Sequence, residues 1–196
     1  MPPMIAVEEA RRQILDAIPR LDLERVSILD ALGRVIGEDV FAPRSLPPVD
    51  NSAMDGYAVR SADTAGATPN RPAILDVVED IPAGVLPQKA IGPGQAARIM
   101  TGAPLPTGAD AVVRMEDTAK DGTRVRIFAA VAGGTDIRYT GENVRQGELV
   151  IPRGTIIRPA EVGMLASLGR SFASVHQRPL VAILAKRSQH TAEDGA

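Results

Sequence analysis

The 196-residue chain contains no cysteine and no tryptophan, and aromatic residues make up only 3% of it. Without cysteine there is no disulfide scaffold, no Cys-based zinc site and no thiol nucleophile. The two histidines, His176 and His190, are too few for a multi-His metal centre. No apolar run approaches the roughly 20 residues a membrane helix needs. The first residues lack a basic segment followed by an apolar one, so no secretory signal is expected and a cytoplasmic location is. Charge of one sign is also lacking. Against 24 acidic residues stand 22 Lys and Arg, a net charge of −2, which argues against a nucleic-acid footprint.

What the chain has in quantity is apolar side chains, 44%, enough for a packed core, together with 18 glycines and 16 prolines. The glycines and prolines are spread along the sequence. They predict many short elements joined by tight turns, in a β or α+β fold rather than a helix bundle.

Val7, Ala10, Ile14, Leu15 and Ile18 recur at helical spacing, predicting a helix over 7–18 that Pro19 ends. Ser27 and Asp30 form a weak capping pattern, predicting a second short helix stopped at Gly33. Residues 34–41 read as a strand. From Asp50 to about Arg138, short apolar runs alternate with Gly/Pro turns, the pattern of a small all-β barrel or sandwich, with a hairpin turn at Asp121-Gly122. Pro159 suits the first position of a helix that Gly169 stops. The apolar run 179–185 predicts a strand buried on both faces, as in the middle of a parallel sheet covered by helices. Only polar residues follow it, so an α/β domain is expected to begin there and to be cut short.

Three stretches could carry chemistry. In 47–60, PPVDNSAMDGYAVR, the short oxygen side chains Asp50, Asn51, Ser52 and Asp55 surround Gly56. They suit either Asx turns or a site for a metal, a phosphate or a positioned nucleophile. In 98–106, RIMTGAPLP, the Thr101 hydroxyl and free N–H groups at Thr101-Gly102 could cradle an anion, and the alternative is a Pro-stiffened strand end. Arg98 is a candidate phosphate partner, although strand alternation turns it away from Ile99. In 136–147, DIRYTGENVRQG, Arg138 and Arg145 are either a further anion contact or ordinary exposed arginines. Glu116-Asp117 reads as the polar start of a hairpin rather than a metal pair, and His176 as a surface residue.

PPVDNSAMDGYAVR, then RIMTGAPLPTGADAVV, then the Gly-Glu and LASLG segments together resemble the amino-terminal part of the MoeA family of molybdopterin molybdenumtransferases, which includes the gephyrin E domain. The resemblance runs over roughly 5–184. It implies a discontinuous linker and dimerisation domain, 1–48 with 140–177, an inserted β-rich, barrel-like domain, 49–139, and at 178–196 the first strand of a truncated α/β domain with a disordered tail. It implies transferase chemistry in molybdenum cofactor biosynthesis: molybdate enters adenylylated molybdopterin and AMP leaves, assisted by Mg²⁺ in the full-length enzyme. Asp55 and Thr101 map onto functionally important family positions. The resemblance implies Asn51, Gly102 and Arg138 as weaker substrate contacts, and no metal ligand among them. A homodimer is implied, with the molybdopterin adenylyltransferase as a further partner. The chain alone, carrying only the Asp55/Thr101 half-site, is expected to be inactive. A non-catalytic dimerisation or ligand-binding module is the alternative. Asp136 stands where the family commonly has Asn, Asn143 where it has Asp, and Ala185-Lys186-Arg187 where it continues Thr-Gly-Asp.

Overall fold

The computed structural model describes residues 5–182. In chain order its elements are α1 (Val7–Ala17), β1 (Leu23–Ser27), β2 (Val40–Phe41), β3 (Asn51–Ser52), β4 (Gly56–Val59), β5 (Ala73–Ile81), β6 (Gln95–Ile99) and β7 (Ala111–Arg114). There follow β8 (Thr118–Asp121), β9 (Arg124–Ile127), β10 (Ile137–Arg138), β11 (Leu149–Ile151), α2 (Pro159–Ser167) and β12 (Phe172–His176). The fold is mostly β with few helices. The chain divides into two compact units, one drawn from both ends of the chain, up to Asp39 and from Ile151 onward, the other Val40–Val150. The boundaries expected from sequence, 48/49 and 139/140, both fall inside the second of these.

The second unit is organised by a six-stranded sheet in the order β7-β4-β6-β5-β9-β8. All its pairs are antiparallel except β5 with β6, which are parallel and shift register between Val77 and Glu79. The two edge strands, β7 and β8, are consecutive in the chain, joined only by the single 3-10 turn Met115–Asp117. Six flat strands about 4.8 Å apart would separate those edges by about 24 Å. The connection from Arg114 to Thr118 can span at most about 14 Å. The sheet therefore curls into a half-barrel, with a turn closing the gap between its edges. Tyr57, Val59, Leu75, Val113, Val125 and Ile127, from four of the strands, meet on one face of the sheet. The other face is covered too, where Ala58, Ile81, Ala97, Ile99 and Val112 pack against Ile91 and Ala103. Burial on both faces is why Gly56–Val59 reads as an unbroken apolar run rather than an alternating one. The hairpin read at Asp121-Gly122 is present, with Gly122 at φ 61°.

In the first unit, β1 pairs antiparallel with β12, Leu23 opposite His176 and Ser27 opposite Phe172. The helix read from Ser27 to Gly33 is not formed. Ser27 ends a strand instead, and turns follow. Pairing with residues almost 150 positions away overrides a weak local cap, because ladder hydrogen bonds outweigh a few tenths of a kcal/mol of propensity. The strand read over 34–41 is likewise reduced to single bridges, Val35 with Ile156 and Ile36 with Val175, before β2. His176 lies within β12, half-buried, its Nδ1 3.0 Å from the Leu21 carbonyl oxygen. Residues 179–182 form no strand, and the rest of the apolar run expected to be one lies outside the described residues. Helix α1 follows its periodicity, yet it buries none of its side chains: Val7, Ile14, Leu15 and Ile18 are all exposed.

Helix α2 starts at Pro159 as expected, and Gly169 follows its last turn at φ 77°. Glu161 accepts the Arg158 backbone N–H at 2.8 Å and its guanidinium Nη2 at 2.8 Å. The Arg158 side chain and then its N–H pull the Glu161 carboxyl from an ordinary 4.5 down to about 2. A depressed carboxylate stabilises fully above its unfolded value and stops doing so as pH falls through its folded one. Glu161→Gln is therefore expected to cost stability at neutral pH. The difference from the parent should shrink below pH 4.5 and vanish near 2. Denaturant unfolding at a series of pH values reads this directly, and a pH-independent difference would contradict it.

Candidate functional site

The strip 50–55 contains β3 and leads into β4, and both of its ends are fastened by the same device. Asp50 Oδ1 accepts the Thr140 N–H at 2.7 Å and its hydroxyl at 2.8 Å. Asp55 Oδ1 accepts the Thr101 N–H at 2.8 Å and its hydroxyl at 2.7 Å. The sheet makes the second contact possible. β4 runs antiparallel to β6 with Gly56 opposite Ile99, so the residue before β4 and the residues just after β6 emerge at one rim. Asp55 and Thr101 are 46 positions apart in sequence and in direct contact in the fold.

Glycine at position 56 has a packing reason. A Cβ there would overlap the Val113 carbonyl oxygen and lie 2.9 Å from its carbonyl carbon, so the backbone of β7 passes too close for any side chain. At Gly102 the reason is conformational: φ is 81°, with open space around the Cα.

The Asp55 carboxyl is held below the ordinary carboxylate range, first by the Thr101 N–H, then by its hydroxyl, with the Arg98 charge adding to both. It is exposed and ionised at neutral pH. Oδ1 carries both Thr101 bonds, and Oδ2 has no hydrogen bond among the described residues. The Thr101 hydroxyl, donating to Asp55, turns its lone pairs outward. The pair is thus an acceptor surface.

The free N–H groups expected at Thr101-Gly102 are not there. Thr101 N–H goes to Asp55, Gly102 N–H to the Ser52 carbonyl at 2.8 Å, and Ala103 N–H to Met100 at 2.9 Å. The turn is a closed hydrogen-bonded corner and not an anion cradle. Arg98 faces away from Ile99, as alternation requires, and its guanidinium pairs with Asp80 at 2.9 Å.

Asn51 lies on β3 directly opposite Arg138 on β10. Its Oδ1 is buried and has no hydrogen-bond partner among the described residues. Arg138 is exposed and forms no ion pair among them. No hydrogen bond joins either residue to the Asp55–Thr101 contact. Two residues that the sequence reading did not assign to the site border this contact. Arg114, at the end of β7, donates from Nε and Nη2 to the two carboxylate oxygens of Asp136, at 2.8 and 3.0 Å. No local motif marks that pair, since its members are 22 positions apart and each reads as ordinary surface charge. Glu116 and Asp117 form the turn between the sheet edges. Among the described residues no group of three His, Cys, Asp or Glu side chains could hold a metal ion.

These features define a mostly β module built round a curled half-barrel sheet whose rim carries a fixed carboxylate–hydroxyl pair. The chain belongs to the MoeA N-terminal region family, domains I and II, whose family model matches residues 5–169. It is 44% identical over 186 residues to molybdopterin molybdenumtransferase 2 of Mycobacterium tuberculosis (strain ATCC 25618 / H37Rv), covering 95% of this chain and 46% of that protein. To the molybdopterin molybdenumtransferase of Bacillus subtilis (strain 168) it is 37% identical over 185 residues, 92% of this chain and 43% of the other. The crystal structure of the molybdopterin biosynthesis moeA protein from Pyrococcus horikoshii OT3 superimposes with a TM-score of 0.82 at 38% identity, over 88% of this chain and 46% of that one. The chain spans less than half the length of these relatives.

Proposed function

We propose that this chain supplies one half of a molybdate-insertion site in molybdenum cofactor biosynthesis, acting on adenylylated molybdopterin with release of AMP in a protein of the relatives' length. The observation that carries the reading is the Asp55–Thr101 contact, on the two positions the family resemblance marks as functional. Chemistry divides the roles. An ionised carboxylate and a hydroxyl already donating are both acceptors, and they repel an oxyanion while recognising N–H donors. Asp55 Oδ2 and the Thr101 lone pairs therefore hold the amino and ring N–H groups of the pterin. With Oδ1 held by both Thr101 donors the carboxylate is fixed in direction, so its work is orientation. Arg138 is the cation for phosphate or molybdate oxygens, Asn51 adds an amide beside it, and Gly102 keeps the corner free of a side chain. Mg²⁺ is implied by the family resemblance. Among the described residues no group of three His, Cys, Asp or Glu side chains could hold the ion, so any Mg²⁺ ligands from this segment would be completed by substrate oxygens.

The homodimer, the adenylyltransferase partner and a cytoplasmic location belong to the same reading. The uncovered apolar side of α1 supports a protein contact, and no described helix is long and apolar enough to cross a membrane.

The test is molybdate insertion, followed as AMP release and cofactor formation, in a full-length protein carrying this segment. Thr101→Val keeps the shape but removes the hydroxyl that locks Asp55, and is expected to lower turnover about tenfold or more, with Thr101→Ser restoring most of it. Equal rates for Val and the parent would remove Thr101 from the site. The chain by itself, given molybdate, Mg²⁺ and adenylylated molybdopterin, is expected to bind the pterin without turnover. If it bound no pterin either, the alternative of a dimerisation module would be favoured.

A further inference from the structure

The Asp55 turn is gripped from two sides by backbone contacts. Ala53 N–H donates to the Asp136 carbonyl at 2.9 Å, and Met115 N–H donates to the Asp55 carbonyl at 2.9 Å. Asp136 and Arg114, the residue before Met115, are themselves joined by the bidentate ion pair. In order, Ala53, Asp136, Arg114, Met115 and Asp55 form a closed ring around the turn. The ion pair is its only link made by side chains.

The backbone of Asp136 points to the same conclusion. It is the one non-glycine residue at positive φ among those described, at 52°. An L residue holds that conformation only where its surroundings over-determine it, and Asp is among the few that tolerate it. The left-handed turn aims the Asp136 carbonyl at Ala53 and its carboxylate at Arg114 together. A planar guanidinium fixes both distance and plane, which a point charge cannot. The Asp136 side chain is largely buried, while that of Arg114 is about half exposed.

We infer that Arg114 and Asp136 are a positioning pair, which sets the turn 53–55 against Thr101 and so fixes the direction of the free Asp55 Oδ2. Neither residue touches the ligand in this assignment. The inference rests on the reading of Asp55 given above. It adds two residues of which one, Asp136, departs from the family's common Asn.

Arg114→Met, Asp136→Asn and the double variant test it. Asn tolerates the left-handed conformation and keeps the backbone carbonyl, and its amide oxygen can still accept one Arg114 bond, so the charge and the bidentate geometry are lost but not the whole link. Amide hydrogen exchange, read by NMR on this chain, reports the turn without any catalysis. Arg114→Met is expected to speed exchange at Ala53, Thr101 and Met115 about tenfold, Asp136→Asn less because one hydrogen bond survives, and the double variant no more than Arg114→Met, because the same link is broken. Val77, whose N–H goes to the Thr123 carbonyl across the sheet at 2.8 Å, is expected to be unchanged. Arg114→Lys should restore the turn only in part. Acceleration at Val77 equal to that at Ala53 would make the pair an ordinary stabiliser and overturn the inference. So would unchanged exchange at Ala53 and Thr101. In a full-length protein Arg114→Met is expected to lower kcat/KM about tenfold and Asp136→Asn less. If the amides loosen while insertion is unaltered, the pair still positions the turn and it is the proposed role of Asp55 that fails.

Discussion

Asp55→Ala is expected to reduce molybdate insertion by about 100-fold or more in a full-length protein that carries this segment, the range found when one preorganised electrostatic group is removed from a site. The substitution deletes the acceptor that faces the pterin and releases both Thr101 donors. Asp55→Asn separates these effects. Its amide oxygen can still accept one Thr101 bond, but the charge is gone, so an intermediate loss is expected. Folding should scarcely respond to either change, because Asp55 is exposed and Thr101 can donate to water. The assay is the initial rate of AMP release, with thermal unfolding measured alongside. Parental turnover in Asp55→Ala would end the reading of this rim as part of the site. A loss of turnover matched by a loss of fold would also count against it.

Gly56→Ala is expected to have the largest effect on stability, about 3 kcal/mol or more, at or beyond the upper range for overpacking. The added methyl meets the carbonyl of Val113 in a neighbouring sheet strand, which cannot swing aside as a flexible side chain would. Moving β7 away would open the Tyr57, Val59 and Val113 core and break the register that sets Gly56 opposite Arg114. Gly102→Ala is the control. It also puts a methyl on a glycine beside the site, but into open space at φ 81°, so its cost is only the left-handed conformation, about 1–2 kcal/mol. Denaturant unfolding of the two variants checks the contrast. Equal losses would mean that β7 yields to the added methyl and that packing does not require glycine at position 56.

The curled sheet was partly legible. Short apolar runs, turn glycines and the Asp121-Gly122 hairpin mark an all-β segment, and they do so because turn chemistry is local. Helix α2 was legible at both ends for the same reason, with Pro159 at its start and Gly169 after its end. The short helix assigned at Ser27 was wrong because its local signal was weak and a distant strand competed for the same backbone. In the candidate site, the residue types around Asp55 and Thr101 stood out, but their composition suited turns as well as chemistry. The free N–H groups expected of Thr101-Gly102 turned out to be engaged, since their acceptors, Asp55 and Ser52, come from a segment some fifty positions earlier.

By itself, the sequence determined which stretches turn, which are apolar enough to form a sheet, and, through its long ordered strings, the family. Those properties belong to single residues and their near neighbours. Only the tertiary structure decided that Asp55 locks Thr101, that one carboxylate oxygen is left outward, and that Arg114 reaches Asp136. Each of these depends on strand order, and the hydrogen bond between residues 46 positions apart is set by the β4–β6 pairing that puts Gly56 opposite Ile99. The curl follows from a simple limit, since a three-residue turn must join the two edges of a six-stranded sheet.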